Sequence, residues 1–516
     1  MGSFYKIIVS DYKQRTRSYA FLVTLAVSLY FAYSFLPAPN ANYTTVRIGN
    51  YIGVQNAAWI GYVTAMMSSV FLAMTGFYLV NSGIKKDVDT GVGEIVATTP
   101  ISNLRYLLAK TWSNFLVLLS ITGCVFAMSI ALFFIRAGGY PFEIRQFILP
   151  YLVITVPTIF FVAALAVAGE VFLHRYTILM NVGYFFFFCV MGSLQASTTS
   201  SFDLFGHKPV TAAMQETVQG HYHETNLDLS MGFNFGNKRG FHYFIFNGVD
   251  WTAANILSRI LWICAGLLLI FISSKFFHRF DIKQKFKTKK KVKLSEITPQ
   301  VKPLHDIKLS ELPPITPAYG IMPFIKTEFL MLVRKGPRWL WLINLGGMLA
   351  LIFAPIIIAH QMILPILWFL QVARWSDLAT KEKTNRIHYF TYASYKPLTR
   401  LLPAQIMAGV LLALVLAAPL MVRYLIGLQL LPVLSIIMGG IFIVIFAVAI
   451  GILSGGKKLF EILFFMVAYT NIELVPYTDY FGGINNGASY MMLIAGLIGL
   501  LALVSFVLRR MEIRKV

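Results

Sequence analysis

Long apolar stretches limit what this chain can fold into more than any other feature. A bilayer core takes about 20 consecutive apolar residues as one helix, and inside it every main-chain polar group must be paired within the segment. Such runs stand at Tyr19 to Leu36, Ala58 to Asn81, Trp112 to Ile135, Phe147 to Gly169, Thr177 to Ala196 and Trp251 to Ser274. Four more stand at Leu401 to Val422, Pro432 to Leu453, Leu459 to Val475 and Ala488 to Leu508. Between the two sets, Trp339 to Ala373 is too long for one helix and carries Pro355 and His360 near its middle. Basic residues flank that stretch on both sides (Arg334, Lys335 and Arg338 before it; Lys381, Lys383 and Arg386 after it), so it is expected to cross an even number of times. The total is about twelve spans. With 57% hydrophobic and only 13% charged residues among 516, there is too little polar surface for soluble domains. The expected class is an all-α polytopic membrane protein.

Charge sets the orientation. With the N-terminus inside, the cytoplasmic segments carry 36 Lys and Arg against 7 outside, and Arg259 falls within the sixth span. Such a bias marks the cytoplasmic side of a plasma (inner) membrane protein and places both termini there. The net charge of +22 therefore calls for anionic lipid and not for nucleic acid. Cys124, Cys189 and Cys264 lie inside apolar runs, which excludes a disulfide framework and a Cys-type zinc site. No small-residue cleavage site follows the first apolar run, so the first span is expected to stay.

The chain divides into a first six-span unit (1–275, with an outer segment at 197–250), a linker (276–323) and a second six-span unit (324–516). The linker holds Lys289-Lys290-Lys291, Pro313-Pro314 and Pro317, a composition that does not pack, and is expected to have little regular structure between about Lys283 and Pro317. The arrangement on its two sides repeats. Phe4-Tyr5-Lys6 to Arg17 precedes the first span as Phe324-Ile325-Lys326 to Arg338 precedes the seventh, each a basic amphipathic elbow suited to the inner interface. Each unit then has two spans, a charged inner loop and four more spans, which implies two half-bundles related by an axis along the membrane normal. Residue identity between the halves is low, so the repeat rests on pattern.

The inner loops are the most specific feature. The first carries Gly91-Val92-Gly93-Glu94, Thr99-Pro100-Ile101-Ser102 and Arg105-Tyr106-Leu107-Leu108-Ala109-Lys110. The second carries Trp375-Ser376-Asp377-Leu378, Ser394-Tyr395-Lys396-Pro397-Leu398 and Arg400, without the Gly-x-x-Glu and Thr-Pro elements. Here the chain resembles the permeases of type 2 ATP-binding-cassette exporters. The resemblance implies a permease for an unknown exported cargo, with no cofactor or enzymatic activity of its own, energised by a separate ABC ATPase subunit at the cytoplasmic loops. It further implies that Glu94, Thr99, Pro100, Ser102, Arg105, Tyr395 and Pro397 couple the permease to that subunit. Independently of the resemblance, a loop of this size with both charge signs and a proline turn is long enough to present a short helix to a groove on a soluble partner.

Other signals are weaker. Gly451-Ile452-Leu453-Ser454-Gly455-Gly456-Lys457-Lys458 follows the P-loop pattern until Lys458, where a magnesium-binding Ser or Thr belongs, and it sits at a span end with no room left for a nucleotide-binding domain. His207, His221, His223 and His242, with Glu216, Glu224 and Asp228, are read as residues of a polar outer segment and not as a metal site. That segment is expected to form a compact cap on the outer face. Glu170, Glu461, Glu473 and Arg259 lie in or near spans, where charge is costly; Glu170 and Glu461 are expected to reach the inner interface. Arg259 either snorkels outward or lines a cargo path. No acidic relay runs through the spans, which argues against the alternative of a secondary transporter with parallel six-span halves; a membrane scaffold without cargo is the third reading.

Overall fold

The computed structural model describes residues 2–38, 41, 43–174, 176–196, 202–222, 227–235, 240–277, 320–336, 339–472, 478–484 and 487–514. Linker residues 278–319, His223, Glu224 and Glu473 lie outside them. The first half comprises α1 (Gly2–Thr16), α2 (Tyr19–Ser34), α3 (Ala57–Val80), α4 (Gly83–Asp89), α5 (Val92–Thr98), α6 (Asn103–Arg136), α7 (Arg145–Leu173), α8 (Thr177–Ala196), α9 (Lys208–Tyr222) and α10 (Ala253–Phe276). The second comprises α11 (Met322–Arg334), α12 (Trp339–Phe353), α13 (Ile356–Phe369), α14 (Val372–Trp375), α15 (Lys381–Thr384), α16 (His388–Tyr392), α17 (Pro397–Ile426), α18 (Leu430–Ser454), α19 (Lys458–Ile472) and α20 (Ala488–Ile513).

Among the described residues, seven helices are long and apolar enough to cross a membrane, or eight if the bent pair α11 and α12 is one span. Shorter helices occupy the remaining apolar runs. Local chemistry sets their ends. Ser18, Asn56, Ser102 and Thr252 accept main-chain N–H groups at the starts of α2, α3, α6 and α10. Gly455, at φ 64°, stops α18. Pro355 separates α12 from α13, so the overlong apolar stretch is two helices. The second elbow, α11, meets α12 at 99°. Helix α6 begins nine residues before the expected Trp112, because Ser102 caps it there, and this puts Arg105 and Lys110 on the helix.

The last long helix of each half is the least buried: 22% of the apolar window of α10 and 11% of that of α20 face protein, against 83% for the stretch that includes α3. Exposed Leu257, Leu261, Leu268, Leu493, Leu500 and Leu503 would be untenable in water and are at home in lipid. The same helix pairs touch in both halves: α1 with α6 as α11 with α17, α2 with α6 as α12 with α17, α6 with α7 as α17 with α18, α7 with α10 as α18 with α20, and α3 with α8 as α13 with α19. Across the halves α3 packs on α19, where Tyr78 stacks on Phe465 at 4.0 Å, and α8 packs on α13 through Phe185 and Phe369 at 4.6 Å.

The all-α expectation needs one correction. A four-stranded sheet in the order β3-β1-β2-β4 joins β1 (Tyr43–Ile48) and β2 (Tyr51–Gly53), which link α2 to α3, with β3 (Leu229–Phe235) and β4 (His242–Phe244) from the 197–250 segment. Tyr43-Thr44-Thr45-Val46-Arg47-Ile48 is rich in β-branched and aromatic residues, and such side chains fit a half-buried pleat. Helix α9 buries Val210, Met214 and Val218, one stripe at helical spacing. The sheet and α9 stand at the opposite end of the bundle from α4 and α5, since they join the other ends of the same helices.

Candidate coupling loops and the turns opposite them

The first loop is rigid behind and open in front. Glu170, at the end of α7, accepts the main-chain N–H groups of Gly83 (2.9 Å), Ile84 (2.7 Å) and Lys85 (3.1 Å), so its carboxylate caps α4 at the start of the loop. Asp87 accepts from Tyr106 Oη at 2.7 Å and pairs with buried Lys110 at 2.7 Å, while Lys110 also reaches Asp11 of the elbow helix at 2.6 Å. Lys110 is thus the pin between elbow, loop and third helix. On the outer side of this frame Glu94, Pro100, Ser102 and Arg105 are exposed, and Thr99 donates to Val96 O at 2.7 Å. Val88, Val92 and Ile95 are exposed beside them, Ile95 at 67%.

The second loop is framed alike with different side chains. Asp377 pairs with Lys335 (2.7 Å) and Lys457 (2.6 Å). Burial pushes the Asp377 carboxyl up, but the two ammonium groups outweigh it and hold it below its usual 3.8. Glu328 of the elbow pairs with Lys381, and burial raises its carboxyl above the ordinary range against that lysine's pull. Arg374 lies over the Trp341 ring at 4.7 Å, and burial lowers its guanidinium to about 10. Tyr392 is buried against Arg509, which also donates to Ala379 O at 2.8 Å. Tyr395 is exposed and Pro397 is half-buried at the first turn of α17. The most prominent outward groups here are others, Phe390 (82% exposed) and Tyr389 on α16, which sequence reasoning did not single out.

Arg259 belongs to neither loop. It is buried at the opposite end, with Nη2 3.2 Å from Asp203 Oδ2 and bonded to the Asp203 carbonyl. It lines, with Lys208, Glu216, Asp250 and Ser258, an open cleft of about 700 Å³ between α9 and α10. His207 is also drawn inward, its Nε2 2.8 Å from Ser69 Oγ.

Asp203 opens a motif missed in the sequence. Asp203-Leu204-Phe205-Gly206, after α8, recurs as Asp479-Tyr480-Phe481-Gly482, after α19. Both glycines are left-handed, at φ 78° and 74°, and both Asp and Phe side chains are buried. Asp203 Oδ1 accepts from Gly206 N (2.9 Å) and His207 N (3.0 Å); Asp479 accepts from Gly483 N (3.0 Å) and Ile484 N (2.6 Å), one residue farther on. The Phe205 carbonyl lies 3.3 Å from Ser69 Oγ on α3, and the Phe481 carbonyl accepts from His360 Nε2 on α13 at 3.1 Å. The preceding carbonyl faces the fourth long helix each time: Thr158 Oγ1 donates to Leu204 O at 3.0 Å, and Gly439 leaves room for Tyr480 O. The quartet was legible as a repeat. The 208–250 insertion, present only in the first half, puts the following helices out of step and hides it.

Comparison with family models, curated proteins and solved structures finds no match for this chain.

Proposed function

We propose that this chain is the permease of an ATP-driven ABC exporter, with two six-span units fused in one polypeptide and ATP hydrolysis in a separate subunit seated on both loops. One observation carries the reading. At one end of the bundle stand two loops of matching build, each starting with a lysine-pinned acid (Asp87, Asp377), each backed by its elbow and third long helix, and each turning a short helix with exposed apolar residues outward. A surface that transmits force needs such a stiff back and a free front. The recurring helix pairs and the two Asp-x-Phe-Gly turns support twelve spans in two pseudo-repeated bundles. The basic bias of 36 to 7 supports loops and termini in the cytoplasm. Closure of the partner on ATP shifts the halves between inward and outward states, in proportion to its differential affinity for the two.

The test is partner retention. Glu94→Lys, or Pro100→Gly with Pro397→Gly, is expected to weaken pull-down of the ATPase and to lower cargo-stimulated ATP hydrolysis while the permease stays folded in the membrane. Unchanged binding and turnover in the combined variant, at normal abundance, overturns the assignment. A secondary transporter instead shows flux that follows the proton gradient.

A further inference from the structure

The corner between α18 and α19, Gly455-Gly456-Lys457-Lys458, contributes to neither exposed loop surface nor to the opposite turns. Its sequence imitates a phosphate loop, but it is a helix end, a left-handed glycine and a helix start, closed by a bond from Ser454 Oγ to Gly456 O at 2.9 Å. Two adjacent lysines leave it for different halves of the molecule. Lys457 Nζ reaches Asp377 Oδ1, at the start of the second loop, at 2.6 Å. Lys458 Nζ donates to the carbonyls of Leu79 (3.2 Å) and Asn81, the last turn and cap of α3 just before the first loop.

Those carbonyls have no partner within their helix and form the negative end of its dipole, so an ammonium group there makes a charge-assisted bond. The carbonyl between them, Val80 O, accepts from Arg15 of the first elbow at 2.9 Å. The end of α3 is therefore held by two basic side chains, one from its own elbow and one from the other half, and burial lowers the Lys458 ammonium to about 7. One turn past Lys458, Glu461 accepts from Ser376 Oγ at 3.1 Å, a second tie from α19 to the second loop. Next to the corner the halves meet through the Tyr78 and Phe465 rings, so the joint has a packed apolar seam beside it.

We propose that the Lys457-Lys458 corner is a positioning joint that ties the starts of the two loops together across the halves, so that a displacement of one is passed to the other. Its use in coupling rests on the exporter reading; the joint itself does not. Separation of the halves at this end breaks the bonds of Lys458 first, because among the described residues they are the polar links from this corner to the first half.

The experiment measures the distance between spin labels at Ile95 and Phe390, exposed on the two loops, in full-length protein in lipid nanodiscs with Cys124, Cys189 and Cys264 replaced by Ser. No ATPase is present, so the outcome is independent of the partner pull-down. The unaltered corner is expected to give one narrow distribution. Lys458→Met is expected to add a separated population, enlarged about ten-fold, the equivalent of one hydrogen bond. Lys458→Arg, which keeps charge and donors, restores the narrow distribution. Lys457→Met loosens the second loop alone. If Lys458→Met does not accumulate, Lys458→Gln, with a neutral donor, replaces it and is expected to lie between. Distributions for Lys458→Met or Lys458→Gln identical to the unaltered protein overturn the joint, as does a Lys458→Arg variant as broad as either.

Discussion

The Arg259 guanidinium stands 3.2 Å from the Asp203 carboxylate, with both groups buried where α10 passes the Asp-x-Phe-Gly turn. The same carboxylate accepts main-chain N–H groups of that turn, so the arginine is tied to a fold-determining knot and its charge is compensated in place. Removing one partner of a buried pair is expected to cost about 3–5 kcal/mol, because the other is left as an unpaired charge. Arg259→Met should lower the thermal stability of the purified protein far more than Arg259→Met with Asp203→Asn does relative to Asp203→Asn alone. Additive losses in the double variant would show that the pair is not the source of the effect.

Gly439 is the second test of the turns. A Cβ there meets Tyr480 O at 2.8 Å and Phe481 Cα at 2.9 Å, both main-chain atoms unable to rotate away. Gly439→Ala is expected to destabilise by about 1–3 kcal/mol, as overpacking does. Gly496→Ala, on an open helix face, is the control and should be neutral or slightly stabilising. Equal melting temperatures for the two variants would contradict the packing described.

The Asp377 pair predicts a pH dependence with a fixed sign. The folded carboxyl lies below its usual 3.8, so its contribution is complete above that value and is lost as pH falls through the lower, folded value. Asp377→Asn should therefore reduce stability at neutral pH, and the gap to the unaltered protein should close as unfolding is followed from about pH 5 downward. A gap that widens on acidification would refute this electrostatic account.

The outward apolar residues predict function without stability. Ile95→Asp and Phe390→Asp touch no packed side, so each should change folding free energy by no more than about 0.5 kcal/mol. Each should weaken retention of the ATPase in a pull-down from membranes. Full retention with both changes combined would remove these helices from the docking surface.

Orientation is checked by labelling. In a background without native cysteines, a cysteine at Gly220 is expected to react with an impermeant reagent from outside, and one at Ser295 only after lysis. The reverse pattern, or reaction of both from one side, would overturn the twelve-span arrangement.

The apolar runs and the basic asymmetry are local properties, and the sequence by itself determined from them that the chain is largely helical and membrane-embedded and roughly where the apolar helices lie. Hydrophobic length and main-chain pairing leave lipid-facing segments no other solution. Pro355 was likewise legible, because the missing proline donor acts within a few residues, whereas the cap at Ser102 went unread and α6 starts nine residues earlier than expected. What only the tertiary structure decided is which charges meet. Glu170 caps a helix more than 80 residues away in sequence, Lys458 holds the end of α3 from the other half, and Arg259 closes on Asp203. A buried charge declares its cost in the sequence but not its partner. The partner is chosen by which helices pack together, and that packing is set by the whole apolar surface at once.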